Sequence, residues 1–245
     1  MKHKILSILI FTLLFISCER DFLDTETGNL ASEDQHLNEY LSKRGNLLRV
    51  LDAKETAQYD RLKGLNAEKE GLGYVNLITS MMSDDIYPGR FMGSPYPYKY
   101  AYNKADSEDN KRIWLLFYKT IFDLNESFKF IYKFGSDEDK ADGIFDERLS
   151  RYYALRAYSY FYLVRLYCPT YLKDANRAAI PIHAYDAKTG ELLKKTGRNT
   201  QEQVYDLIKS DLEKAYDLIG DYNRPHKGFI DKQTIAAIWA KVLLE

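Results

Sequence analysis

The chain has 245 residues, which is enough for one sizeable hydrophobic core or two smaller ones. Its 35 Lys and Arg residues nearly balance its 36 Asp and Glu residues, so no net field attracts nucleic acid or an anionic lipid surface. Aromatic residues make up 14% of the chain and 21 residues are Tyr, which favours either aromatic binding surfaces or a Tyr-rich helical core.

The first 17 residues have the features of an export signal. A basic start at residues 2–4 precedes an apolar run at residues 5–16, which is too short to span a membrane and is typical of a signal peptide. The run Leu-Phe-Ile-Ser before Cys18 resembles a bacterial lipoprotein box and predicts that Cys18 is lipidated after cleavage. Several acyl chains there would anchor the mature chain, residues 18–245, stably to a membrane. A plain secretory signal that is cut nearby is the alternative.

Apolar spacing predicts three helices in the first half of the chain. Residues 32–35 have the Ser-x-x-Gln form of a capping box, so the first helix is predicted to begin at Ser32. Glycines then interrupt the pattern until a second helix, which is predicted from about Tyr74 to Met82. The third helix is predicted from Ser107 to Phe134, and Gly135 ends it.

A tyrosine-rich segment lies between the second and third predicted helices, at residues 83–106. Its prolines and glycines exclude a helix, and four of its tyrosines are spaced by two: Tyr96, Tyr98, Tyr100 and Tyr102. An extended backbone would place all four rings on the same side. Such a row can stack on the apolar faces of sugar rings, with Asn103 supplying a polar contact. The alternative is that these tyrosines pack the segment onto the helices beneath it.

The most apolar stretch of the chain, Leu149–Tyr167, is predicted to be the central helix of an all-α domain. Five of its nineteen residues are neither apolar nor aromatic. Pro169 disfavours helical backbone at Cys168, so the helix should end near Tyr167. A helix that is apolar on almost all sides is buried on several sides, so the other helices should surround it. Arg156 on this helix is expected to pair with a carboxylate or to cap carbonyls of a neighbouring helix.

Two further helices are predicted near the end of the chain. Thr200–Gln203 forms a second capping box and opens an amphipathic helix that closes at Gly220, and Asp231 begins a last helix. Because the chain stops at Glu245 with no C-cap, we expect the natural protein to continue. Small residues at positions suited to close helix packing give the helix pairs the look of tetratricopeptide repeats (TPRs): Ala154, Ala157, Ala215, Ala236 and Ala237.

The sequence contains few candidates for chemistry. Asp84 and Asp85 are adjacent, which suits a solvated or cap-forming pair better than the spaced carboxyls of a glycosidase. The four histidines lack metal-ligand spacing, and Cys168 is interpreted as a small buried hydrophobe. We therefore expect no enzymatic activity, no metal and no cofactor.

Five stretches, in the same order, resemble the SusD/RagB family of outer-membrane nutrient-binding lipoproteins of Bacteroidetes. They are Cys18 with Asp21-Phe22-Leu23-Asp24, the helix from Trp114 to Asn125, the helix from Leu155 to Tyr167, Ile180-Pro181-Ile182, and the run from Arg198 to Ala215. The third stretch reads Leu-Arg-Ala-x-x-Tyr-x-x-Leu-Val-x-x-Tyr, which is similar to the pattern of the family. The family usually has Gly-x-Pro after that Tyr, where this chain has Cys168-Pro169.

The resemblance implies a SusD-like α-α superhelix of stacked, TPR-like helix pairs with long irregular loops. Family members continue well past residue 245, so the resemblance implies that residues 18–245 are the N-terminal, TPR-bearing part and that some of any ligand surface is missing.

The resemblance also implies a non-enzymatic lipoprotein on the cell surface, anchored in the outer membrane by its lipid. It would bind oligosaccharides, or peptides in some relatives, and pass them to a SusC-like TonB-dependent transporter. A TPR-type envelope scaffold that binds only protein partners is the alternative. A surface glycosidase has no support beyond scattered carboxylates, and the sequence does not identify the glycan.

Overall fold

A computed structural model of the chain describes residues 28–64, 70–82, 107–183 and 197–245. These described residues form eight α-helices and no β-strand, which confirms the predicted all-α class. The chain divides into two compact units, Met1–Lys43 and Arg44–Glu245.

The described part of the first unit contains helix α1, Gly28–Ser42. The predicted start of this helix at Ser32 is wrong, because the helix already begins four residues earlier. Leu30 and Ala31 are strong helix formers, and the Ser-x-x-Gln pattern lies inside the helix and not at its start.

The described residues of the second unit form the other seven helices. Their bounds are Arg44–Lys63 (α2), Gly71–Met81 (α3), Glu108–Phe134 (α4), Asp137–Ala141 (α5), Asp146–Tyr167 (α6), Gln201–Leu218 (α7) and Lys232–Leu243 (α8). A short 3₁₀ turn, Tyr171–Lys173, follows α6, and a single bridge joins Ala178 to Thr200.

Several predicted helix ends are confirmed. They were predictable because capping residues are present in the sequence at these positions. The hydroxyl of Ser107 accepts a hydrogen bond from the Asn110 backbone N–H at 3.3 Å, and α4 ends before Gly135. The predicted capping box of α7 is complete, with both reciprocal bonds between Thr200 and Gln203 present. Each cap satisfies amides that the first turn of a helix leaves without partners.

Helix α3 begins at Gly71, three residues before the predicted start at Tyr74. Gly71 has a φ of 68°, and a Cβ atom there would lie 2.6 Å from the backbone oxygen of Leu62. Only glycine fits this close approach between the end of α2 and the start of α3, so the residue that interrupts the apolar pattern also opens the next helix.

Helix α6 is central, as predicted. It packs most extensively against α7, then against α4, and it also contacts α8. Tyr152, Tyr160 and Leu163 on this helix are fully buried. The helix ends at Tyr167, and Cys168 has extended backbone angles of −129° and 156°. The steric effect of Pro169 on the preceding residue therefore sets the end of the helix. The thiol of Cys168 is half-buried, so its predicted burial is only partly realised.

The remaining helices of the second unit pack around one continuous hydrophobic core. Helix α2 packs against α3 and α4, and α7 packs against α8. Ala154, Ala157 and Ala215 are buried, as close helix packing requires. Ala236 and Ala237 are exposed, so their predicted packing role is wrong, because α8 turns Ile235 and Ile238 toward the core instead.

A buried ion pair connects the three central helices. Arg156 on α6 donates two hydrogen bonds to the carboxylate of Asp211 on α7, at 2.7 and 2.8 Å, and a third to Asn125 Oδ1 on α4 at 2.9 Å. Burial alone would lower the pKa of Arg156, but the charge and hydrogen bonds of Asp211 outweigh burial and raise this pKa. The predicted carboxylate partner of Arg156 is therefore confirmed and identified.

A second buried pair connects α6 to α2. The guanidinium of Arg151 binds the carboxylate of Glu55, with Nη2 at 2.9 Å from Oε2, and the ring of Tyr222 covers the cation. Nearby, Arg148 and Asp52 form a more exposed pair. Ion pairs thus hold α6 to a helix on each side.

Helix α8 begins with a charged cap. Asp231 Oδ1 accepts hydrogen bonds from the backbone N–H of Thr234 at 2.8 Å and from its hydroxyl at 2.7 Å, and Arg224 pairs with Oδ2. Burial would raise the pKa of Asp231, but the bonds from Thr234 and the charge of Arg224 outweigh burial and hold this pKa below its ordinary value.

Replacing Arg156 with Met should lower the free energy of unfolding by about 3–5 kcal/mol, because it leaves Asp211 charged and buried without a partner. The double variant Arg156→Met, Asp211→Leu should recover most of this loss. The side chains of the native pair are 7% and 0% exposed. The matched control is Arg148→Met, whose pair is 21% and 56% exposed and should contribute less than about 1 kcal/mol. Urea unfolding measures all three, and equal losses for Arg156→Met and Arg148→Met would contradict the assignment.

Replacing Asp231 with Ala should lower the free energy of unfolding by about 1 kcal/mol at neutral pH, through loss of the helix cap. A lowered folded-state pKa stabilises the fold above the unfolded-state value, near 3.9, and this contribution is lost as the pH falls through the folded-state value. The deficit of the variant should therefore shrink between pH 5 and pH 3 in denaturant titrations. An Asp231→Asn control keeps the cap without the charge. A deficit for Asp231→Ala that does not change with pH would reject a role for the charge.

Candidate functional site

The site residues predicted from the sequence lie outside the described residues. This applies to the lipidation site Cys18, to Asn103 and to the tyrosines of the segment 83–106, namely Tyr96, Tyr98, Tyr100 and Tyr102. It applies equally to Asp84 and Asp85. The last turn of α3 precedes the segment 83–106 and the cap of α4 follows it. The ligand role of the segment stays a prediction.

A group of polar side chains holds the backbone of residues 181–183 against α4 and α6. Tyr118 donates its hydroxyl to the Pro181 carbonyl at 2.7 Å, and Asn125 Nδ2 donates to the His183 carbonyl at 2.6 Å. The hydroxyl of Tyr160 donates to the same carbonyl at 3.0 Å and accepts from the His183 N–H at 2.9 Å. The side-chain amide of Asn125 therefore has two partners. Its nitrogen donates to the segment, and its oxygen accepts from Arg156.

The other side of the segment is held from the start of α7. Asn199 Oδ1 accepts from the Ile182 N–H at 2.9 Å, and Arg198 donates to the Ala179 carbonyl at 2.6 Å. Burial raises the pKa of both Tyr118 and Tyr160, so their hydroxyls remain protonated donors at neutral pH. These bonds assign a structural role to several of the residues that carry the family resemblance.

A groove of about 790 Å³ lies between α2, α3, α6 and α8, and residues of the loop 226–230 also line it. Its apolar floor consists of buried side chains from four elements: Leu62, Leu155, Phe161, Ile230 and Ile238. Leu155, Tyr158, Tyr162 and Arg165 share one face of α6 at helical spacing, and this face lines the groove. We call this feature the α2–α6–α8 groove.

Ring contacts and hydrogen bonds fix the aromatic wall of the groove. The hydroxyl of Tyr158 donates to that of Tyr162 at 3.2 Å, and the ring of Tyr162 stacks on Phe117 with centroids 5.1 Å apart. Tyr59 accepts from the Ile230 N–H at 3.4 Å and packs against Phe229. Burial is the main cause that raises the pKa of Tyr59 and of Tyr158. Tyr59 and Tyr158 are therefore uncharged at neutral pH.

The rim of the groove is basic. Four cationic side chains and one carboxylate line it: Lys63, Arg165, Lys227, Lys241 and Asp60. Arg165 already binds a carboxylate, with its Nε 2.6 Å from the side chain of Glu245. An apolar floor with a basic rim can accept apolar groups that have acidic neighbours.

Sequence reasoning missed the groove. In the sequence, its floor residues have the spacing of ordinary core residues. The rim residues are far apart in the chain, between Asp60 and Lys241. One local signal was present, namely the basic residues in the last turns of α2, α6 and α8. That signal is also what helix ends prefer in general, so it identifies no site by itself.

The described residues contain no group of three or more His, Cys, Asp or Glu side chains that could hold a metal ion. Across the same residues, no helix combines the length and apolar character that crossing a membrane requires.

Comparison with known folds gives clear similarities. A SusD-like carbohydrate binding protein from Bacteroides vulgatus aligns with a TM-score of 0.66 and 23% identity, over 82% of this chain and 41% of that protein. A SusD-like protein from Bacteroides fragilis aligns with a TM-score of 0.50 and 16% identity, over 84% of this chain and 35% of that protein. The chain thus spans less than half the length of these solved relatives. The similarity confirms the predicted TPR-like helical fold.

No match is found among curated protein sequences. Residues 52–244 match the model of the SusD-like_3 family, which is described as "Starch-binding associating with outer membrane". Because this match covers most of the sequence and includes all helices from α3 to α8, the chain belongs to the SusD-like family.

Proposed function

We propose that this protein is a cell-surface lipoprotein that binds oligosaccharides and delivers them to a SusC-like TonB-dependent transporter in the outer membrane. Membership of a family described by starch binding and outer-membrane association carries this proposal. The similar fold of a carbohydrate binding protein from Bacteroides vulgatus supports it. Cys18, behind its signal sequence, supplies the proposed anchor.

The proposed sugar contacts are the rings of Tyr96, Tyr98, Tyr100 and Tyr102, with Asn103 as a polar partner. Stacking on tyrosine rings uses the apolar C–H faces of a pyranose and leaves its hydroxyls free to bind amides or water. The α2–α6–α8 groove suits a sugar less well, because hydroxyls pressed against its apolar floor would lose hydrogen bonds to water.

The proposed role is non-enzymatic and uses neither metal nor cofactor. Binding a sugar and passing it on requires stacking surfaces and hydrogen bonds, but no nucleophile and no acid–base pair. The alternative of a TPR-type scaffold that binds only protein partners differs in one measurable respect, because such a scaffold would bind no glycan.

The double variant Tyr96→Ala, Tyr98→Ala should bind glycan about tenfold or more weakly, since burying apolar surface contributes about 25 cal/mol per Å² and a loss of about 1.4 kcal/mol is a factor of ten in affinity. A glycan array that includes malto-oligosaccharides identifies the ligand, and calorimetry then measures its affinity. Tyr216→Ala on α7 is the matched control, because Tyr216 is exposed and lies in the described helical stack. Unchanged affinity of the double variant, with native circular dichroism, would reject these two rings as contacts. An array with no bound glycan would favour the protein-only scaffold.

Replacing Cys18 with Ala should release the protein from the outer-membrane fraction and abolish its labelling by a clickable fatty acid, because a single lipidated cysteine provides the proposed anchor. The chain offers a matched control in Cys168→Ala, which removes its other cysteine. This control should remain labelled and in the membrane fraction. Labelling of Cys18→Ala at the level of the unaltered protein would rule out Cys18 as the lipidation site.

A further inference from the structure

We propose that the α2–α6–α8 groove binds a segment of a partner protein that carries apolar anchor side chains flanked by acidic residues. This inference goes beyond the proposed oligosaccharide site, because it concerns a different surface and a different class of ligand.

The floor of the groove selects for apolar side chains. Leu62, Leu155 and Ile238 present aliphatic carbon at its base, and the cavity of about 790 Å³ has room for several side chains. Half-buried rings of Tyr158 and Tyr162 form one wall and are held by their mutual hydrogen bond. An apolar anchor that enters this cavity removes its own apolar surface and that of the floor from water.

The rim selects for acidic groups. Lys63, Lys227 and Lys241 are exposed, and among the described residues none of the three forms an ion pair. Arg165 holds the carboxylate of Glu245, which demonstrates that a carboxylate fits at this rim. Against the three lysines without an ion pair the lining contributes one acid, Asp60, so the charge of the mouth is complementary to an acidic partner.

The distribution of the basic groups distinguishes a polypeptide from other amphiphiles. The three lysines without an ion pair come from three different elements, α2, α8 and the loop 226–230. A fatty acid carries one carboxylate and could satisfy only one of them. An acidic oligosaccharide carries several anionic groups, but it would press hydroxyls against the apolar floor. A polypeptide segment can supply apolar anchors for the floor and several acids for the rim together.

The experiment uses a phage-displayed library of random 12-residue peptides selected on the purified full chain. We expect the enriched peptides to share at least two apolar residues flanked by Asp or Glu. A fluorescent copy of the most enriched peptide should bind at least tenfold more weakly to each of two variants. One is Ala237→Asp, and the other is the double variant Lys63→Glu, Lys241→Glu. Its binding should also weaken as salt is raised from 50 to 500 mM, because the rim charges are exposed.

The controls match each variant. Ala236→Asp places the same carboxylate one residue away on an exposed part of α8 that does not line the groove, and Lys133→Glu reverses a charge in the last turn of α4. Both controls should bind the peptide as the unaltered protein does. Circular dichroism verifies the fold, and if Ala237→Asp does not fold, the lysine double variant decides. Selection that enriches no peptide class, enriches peptides without acids, or gives a peptide that binds groove variants and controls equally would overturn the proposal.

Discussion

The fold depends on the neutralisation of one buried cation. The guanidinium of Arg156 lies in the middle of the central helix, where an unpaired charge would cost several kcal/mol to bury. Asp211 and Asn125 satisfy it from the two helices on either side, and the ring of Phe128 covers one of its faces. Hydrophobic packing alone would tolerate small shifts between these helices, but the bidentate geometry of Arg156 with Asp211 does not. The pair therefore restricts the register of α6 and α7, and Asn125 connects α4 to it.

The same interaction extends beyond the core through Asn125. Because its amide oxygen faces Arg156, its amide nitrogen is directed at the carbonyl of His183. Arg151 lies five residues before Arg156 on the helix, which rotates it by about 140° and directs it to Glu55 on α2 instead. Two arginines of one helix thus connect it to opposite sides of the stack, and one of them also fixes the position of a surface segment.

Local signals predicted much of the fold, and tertiary relations explain what they missed. The caps at Ser107 and Thr200 and the proline after Cys168 act over a few residues, so the sequence alone located those helix ends. Continuous apolar character, and not periodicity, identified the central helix. The partner of Arg156 was predictable only as a type, since any of 36 acidic residues could have been brought to it. The exposure of Ala237 likewise depends on how α8 turns, which its own sequence leaves open.

The candidate site was even less predictable from local sequence signals than the fold. No stretch of sequence contains the α2–α6–α8 groove, because its floor joins residues from Leu62 to Ile238 that meet only after the helices stack. The basic residues of the rim also have a structural role that is independent of ligand binding. Lys63, Arg165 and Lys241 each lie in the last turn of a helix, where their charges offset the partial negative charge of the free carbonyls. This offset reduces the long-range field of the groove. Selection of an acidic partner must therefore come from direct contact at the rim, as Arg165 makes with Glu245, and not from distant attraction.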